Sequence, residues 1–256
     1  MNSFDLIESK IKYKEKILLM FDYDGTLTPI VDKPELAVLD KKVKNSLEKI
    51  ASTDFINVSI ITGRQVIVIK ELSGINSDNV NIYGLHGGEM KLGTEIINNT
   101  FSLKNNNLEL FKNSLKEKLN NYNGIFIEDK EYTISLHYRL ANEKDSLTAV
   151  ELFKTQADFY NLHEDFRYQN GKKVIEILPK KFSKNNAVAS QIANCPEYFP
   201  VFFGDDLTDI SAFEEVKRHN GMAIGVGNIE FSGIDDYIEV EELGLFIQRI
   251  NTIINN

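Results

Sequence analysis

The stretch ILLMFDYDGTLTPI, residues Ile17 to Ile30, carries an apolar run straight into two aspartates set two positions apart. A short run of this kind reads as a strand buried on both faces. Ending it in Asp22-Tyr23-Asp24-Gly25-Thr26 delivers both carboxylates to the sheet's carboxyl edge, with a glycine beside them to permit a sharp turn. Asp and Gly also make ordinary turn caps, and the motif alone does not separate the two uses. A second segment shifts the balance. VFFGDDLTD, Val201 to Asp209, ends another apolar run in Gly204-Asp205-Asp206, with Asp209 one helical turn further on. Two acid-tipped strands adjacent in one parallel sheet gather negative charge that a cation must offset. Mg²⁺ suits such a place, because it takes carboxylate and water oxygens and keeps positions for a phosphate.

Outward from these segments, strands and helices take turns. KILLMFD, FINVSIITGR and VNIYGLHG read as buried strands. DKKVKNSLEKIAS places Val43, Leu47, Ile50 and Ala51 on one helical face, and QVIVIKEL is a short helix. Such alternation implies parallel strands with crossover helices, the doubly wound α/β class. From Gly88 to Pro179 the signals become hairpin-like: GEMKLG, TEIINNTFSL, IFIEDKEYTISLHYR and FRYQNGKKVIEILP, with a tight turn expected at Asn170-Gly171. The helical patterns NLELFKNSLKEKLNNY and SLTAVELFKTQADFY fall between them. After Pro179 the first pattern returns, with helices at KNNAVASQIAN, DISAFEEVKRH and LGLFIQRINTII and strands at YFPVFFGDD, GMAIGVG and DYIEV. The expected layout is a core from residues 1–87 and 180–256, with an α+β module, 88–179, inserted above the carboxyl ends of the core strands, where open α/β sheets bind ligands.

Composition narrows the function. With 256 residues the chain can bury a full core. A formal charge of -9 speaks against a nucleic-acid surface, which needs dense Lys and Arg. Cys195 is the one cysteine, so the chain has no intramolecular disulfide and no thiolate metal cluster, and a reducing, cytoplasmic setting is expected. No apolar stretch is long enough to span a membrane, and the first residues lack the order of a signal peptide.

Asp22 to Ile30 resembles the first motif of haloacid dehalogenase (HAD) superfamily phosphatases, in the form found in trehalose-6-phosphate phosphatases. ITGR, Ile61 to Arg64, is similar to the second motif, Lys184 to the third and GDDLTD to the fourth. GLHG (Gly84 to Gly87), EDK (Glu128 to Lys130), HYR (His137 to Arg139) and GKKVIEILP (Gly171 to Pro179) extend the likeness into the insert. The sequence departs from the pattern at Asn185, Leu178 and Ile210.

The resemblance implies an HAD-like core with an inserted cap for substrate specificity, and Mg²⁺-dependent hydrolysis of trehalose 6-phosphate through an aspartyl phosphate. Asp22 would be the nucleophile and Asp24 the general acid and base. Thr62, Lys184 and Mg²⁺ would meet the charge on the transferring phosphoryl group. The metal would be held by Asp22, the Asp24 carbonyl and Asp205, with Asp206 and Asp209 either ligating through water or orienting Lys184. Thr62 alone also reads as a helix N-cap, and Lys180 and Lys181 are rivals of Lys184. Arg64, His86, Glu128, Lys130, His137, Arg139, Lys172 and Glu176 are the expected substrate contacts, since sugars are read by charged hydrogen bonds. Alternatives are another sugar phosphate, such as sucrose 6-phosphate or mannosylphosphoglycerate, and a phosphorylatable receiver-like domain. The expected partner is a small-molecule sugar phosphate, with a functional link to a trehalose-phosphate synthase and no nucleic acid or membrane.

Overall fold

The computed structural model describes residues 2–98 and 106–255. The chain forms two compact units, Met1–Asn98 with Ser183–Asn256, and Asn99–Phe182. In the first, an eight-stranded sheet runs in the order β12-β11-β10-β1-β2-β3-β4-β5. Its parallel strands are β1 (Ile17–Phe21), β2 (Ile56–Ile61), β3 (Val80–Gly84), β10 (Phe199–Gly204), β11 (Met222–Val226) and β12 (Asp236–Ile238). Every residue of β1 is buried because helices cover both faces. Ile17, Leu19 and Phe21 pack with α1 (Ser3–Lys12), α2 (Lys41–Ile50), α3 (Val66–Ser73) and α8 (Val240–Ile254). Leu18 and Met20 face α6 (Lys184–Asn194) and α7 (Ile210–Arg218). A central strand flanked by two apolar layers is what its unbroken hydrophobic run dictates.

The sequence reading did not assign α1. Its signal is Ile7 and Ile11, four apart and buried, behind the N-cap Asn2. Strands β4 (Glu89–Leu92) and β5 (Glu95–Asn98) were expected in the insert, but they pair antiparallel beyond β3 and extend the larger sheet. The remainder of the TEIINNTFSL signal, from 99 to 103, lies outside the described residues.

The second unit holds an antiparallel sheet in the order β6-β7-β9-β8: β6 (Phe126–Asp129), β7 (Ile134–His137), β9 (Val174–Pro179) and β8 (Phe166–Gly171). One face carries Ile134, Leu136, Ile175, Ile177 and Phe166 against α4 (Asn106–Leu119) and α5 (Glu143–Phe159), which contribute Phe111, Leu115 and Phe153. The other face carries Glu128, Ser135, His137 and Glu176, the alternation of a half-apolar sheet. The β8–β9 turn falls at Lys172–Lys173, two residues past the expected Asn170-Gly171, with Gly171 paired to Val174. This register sets Tyr168 opposite Ile177 and Phe166 opposite Pro179. A turn at Asn170-Gly171 would instead set Ile177 opposite Glu164. Aligned apolar pairs contribute roughly 0.2–1 kcal/mol each, and burial of a large side chain roughly 1.5–3 kcal/mol. Together these outweigh the local preference of Asn-Gly. Among the described residues, no helix is long and apolar enough to cross a membrane.

Candidate active site

Strand register assembles the acids. Phe21 pairs with Phe203 on one side and Ile60 on the other, so Asp22, Thr62 and Asp205 follow at one edge of the sheet. Asp22 stays attached to the ladder, its N–H donating to the Phe203 carbonyl at 2.9 Å. The loop then folds on itself: Thr28 N donates to Tyr23 O (3.0 Å) and Gly25 N to Thr28 O (2.7 Å). Gly25 has φ +90°, and a Cβ there would lie 2.1 Å from Asp205 Oδ2. Only glycine allows both that backbone and that approach.

Lys184, at the start of α6, reaches into this edge. Its Nζ donates to Asp22 Oδ1 at 2.7 Å and to Asp209 Oδ1 at 2.6 Å, and all three side chains are buried. The other Asp209 oxygen accepts from the N–H groups of Asp205 (3.2 Å) and Asp206 (3.1 Å). Asp206 caps its own short turn through Leu207 N at 2.6 Å. Burial lifts the Asp22 carboxyl well above its ordinary value; Lys184 opposes the rise, while the charges of Asp209 and Asp205 add to it. Burial alone would lower the Lys184 ammonium, but Asp209 and Asp22 hold it above its usual value, so it stays charged. Asp22, Asp205 and Asp209 each offer a carboxylate oxygen, all within 4.8 Å of one another. Lys184 bonds two of these three carboxylates, and the all-oxygen set could hold a hard divalent cation.

The remaining expected residues divide between the units. Thr62 is buried, its N–H on Tyr83 O (2.9 Å) and its Oγ1 accepting from Arg64 N (3.2 Å). Arg64 clasps Asp24, Nε to Oδ2 at 2.7 Å and Nη2 to Oδ1 at 2.6 Å. His86 is buried in a left-handed turn, its N–H on Thr62 O at 2.9 Å. Lys180 and Lys181 are exposed.

In the second unit Lys130 bonds Glu176 (3.2 Å) and lies 3.8 Å from Glu128, which in turn bonds His137 Nε2 at 2.8 Å. Burial would raise the Glu128 carboxyl, yet the His137 hydrogen bond and the Lys130 charge leave it below its ordinary value. Thr133, absent from the sequence-based set, donates to Glu176 Oε1 at 2.5 Å; a threonine in a strand carries no signal that sets it apart. Arg139 and Lys172 are exposed and are joined by Arg139 Nη2 to Lys172 O at 3.1 Å. Leu178, one of the departures from the family pattern, is buried and paired with Arg167 of β8.

A chain that leaves a largely parallel sheet and returns to it, with a buried lysine bonded to acids that follow β1 and β10, has the fold of haloacid dehalogenase-like proteins. A haloacid dehalogenase-like hydrolase from Bacteroides thetaiotaomicron shares it, with a TM-score of 0.60 at 15% identity over 92% of this chain and 100% of that one. Within that class the chain belongs to the trehalose-phosphatase family, whose model matches residues 20–235. A probable trehalose-phosphate phosphatase H of Arabidopsis thaliana is 28% identical, with 97% of this chain and 76% of that protein covered. The C-terminal domain of C. albicans trehalose-6-phosphate phosphatase has the same fold, with a TM-score of 0.85 at 23% identity, 98% of this chain and 97% of that one being covered.

Proposed function

We propose that the protein hydrolyses trehalose 6-phosphate to trehalose and phosphate, with Asp22 as nucleophile. The observation that carries this reading is the Asp22–Lys184–Asp209 contact beside Asp205. An Asp22 oxygen attacks phosphorus while the bond from phosphorus to the sugar oxygen breaks, and Asp24 gives its proton to that departing oxygen. Water then attacks the aspartyl phosphate, Asp24 takes the water's proton, and the bond from phosphorus to Asp22 breaks to release phosphate. Thr62 and Lys184 meet the phosphoryl oxygens, where preorganised donors stabilise developing charge. Asp209 orients Lys184.

Asp22, Asp205 and the Asp24 backbone carbonyl are the proposed Mg²⁺ ligands. Bound there, the ion would neutralise phosphoryl charge. In the second unit, Glu128, Lys130 and Glu176 are the proposed readers of the sugar hydroxyls, with His137 and Thr133 holding the two acids in place. Arg139 and Lys172, both exposed, are proposed as further contacts to the sugar. A cytoplasmic setting, and an upstream synthase that supplies the sugar phosphate, complete the reading.

Phosphate release across a panel of sugar phosphates tests it, in chelator and with Mg²⁺ restored. Trehalose 6-phosphate should be hydrolysed fastest, chelation should abolish turnover, and Asp22→Asn should be inactive yet folded. Faster hydrolysis of sucrose 6-phosphate or glucose 6-phosphate overturns the substrate, and an active Asp22→Asn overturns the chemistry.

A further inference from the structure

The proposed chemistry gives Asp24 both proton transfers, and in the structure one side chain takes both of its oxygens. The Arg64 guanidinium meets them as a fork, at 2.7 and 2.6 Å. Asp24 sits on a loop with 36% of its side chain exposed, against 12% for Arg64. A carboxylate that exposed samples several rotamers unless something holds it. Arg64 is itself held. Its backbone carbonyl accepts from Leu85 N at 2.9 Å, and its N–H donates to Thr62 Oγ1 at 3.2 Å. Its guanidinium lies 6.0 Å from the ring of Tyr23, which is buried and bonded through its hydroxyl to Ala37 O at 2.9 Å.

The turn behind Arg64 has the same bearing. Leu85 and His86 take φ of +48° and +55°, conformations that side-chain-bearing residues avoid. That geometry places two successive N–H groups on the carbonyls of Arg64 and Thr62, each at 2.9 Å. The strained turn thus fixes the Thr62–Arg64 segment from which the guanidinium extends.

We infer that Arg64 is a positioning residue, whose planar fork sets the orientation of the Asp24 carboxylate. A bidentate guanidinium dictates the plane of its partner, which a lysine ammonium does not. Each carboxylate oxygen keeps a further lone pair on which the transferred proton is carried. The inference rests on the reading of Asp24 as acid and base, and it replaces the role of substrate contact expected for Arg64 from sequence.

The test is a double-mutant cycle on the Mg²⁺-loaded enzyme, with Arg64→Ala, Arg64→Lys, Asp24→Asn and the Asp24→Asn/Arg64→Ala pair, each verified as folded by thermal melting. Arg64→Ala should lower kcat for trehalose 6-phosphate by about tenfold or more while KM changes by less than about threefold. Arg64→Lys should stay well below wild type, and adding Arg64→Ala to Asp24→Asn should cost less than about twofold further. In the burst of p-nitrophenol that reports formation of the aspartyl phosphate from p-nitrophenyl phosphate, whose leaving group departs without a proton, the loss should be smaller, a difference that a general loss of structure does not produce. A raised KM with kcat preserved would make Arg64 a substrate anchor and overturn the inference, as would a cost that adds in full to that of Asp24→Asn. Near-normal activity of Asp24→Asn alone would remove the acid–base reading, and the inference with it; that failure is read from a different variant and is recognisable as such.

Discussion

Lys184 keeps a charge in the protein interior because Asp22 and Asp209 both accept from it, whereas Lys180 and Lys181 are exposed. Replacing it with alanine leaves two buried carboxylates without their cation, which costs roughly 3–5 kcal/mol in a buried pair, and removes a donor from the proposed phosphoryl site, worth about a hundredfold in rate. Lys184→Ala should therefore lose both melting temperature and turnover. Lys180→Ala and Lys181→Ala should change either little, and equal effects at all three positions would reject this division. At this scale the acids were legible because each ends an unbroken apolar run, a pattern that fixes their edge of the sheet. Lys184 was legible as one of three lysines, since spacing places it near the fourth motif but does not say which ammonium is buried. The clasp between Arg64 and Asp24 was not legible, because side chains 40 residues apart meet only through the strand register.

The β8–β9 hairpin shows the same limit one scale up. Asn170-Gly171 is a strong local turn signal, and the chain passes over it because the apolar pairs between the strands favour the longer register. Lys173 consequently carries φ +64°, so Lys173→Gly should stabilise the protein. Relief of the left-handed strain, roughly 1–2 kcal/mol, exceeds the glycine entropy cost of roughly 0.5–1 kcal/mol. A melting temperature below wild type would contradict this account of the turn. Strand β6 permits a second measurement. Glu128 is held below its ordinary value of 4.5 by His137 and Lys130, against burial, so its contribution to stability is present above that value and is lost as pH falls through the folded one. Glu128→Gln should accordingly flatten the fall in melting temperature below about pH 4.5. An unchanged acid limb would mean that the pairing adds nothing to stability.

The chain as a whole builds two sheets of different kinds, and the alternation of segments made that division legible from sequence. The boundary was less so: Glu89–Leu92 and Glu95–Asn98 carry hairpin signals and pair with each other, yet Glu89–Leu92 also pairs with β3 and adds both to the larger sheet, because a strand pattern records which face is buried and not which neighbour buries it. If the two units share the work as proposed, losses in one should be separable from losses in the other. Glu176 accepts from Lys130 and Thr133 within the second unit, and Asp22 and Lys184 belong wholly to the first. Glu176→Ala removes an acceptor that two buried donors share, at roughly 1–3 kcal/mol, and removes two oxygens that would accept sugar hydroxyls. Its kcat/KM for trehalose 6-phosphate should fall about tenfold or more, with Glu128→Ala alike, while hydrolysis of p-nitrophenyl phosphate, which presents no sugar, stays near wild type. Steady-state kinetics on both substrates, beside melting curves for each variant, gives the comparison. Equal losses on the two substrates in folded protein would show that these acids serve the chemistry common to both, and would leave the sugar to be read elsewhere.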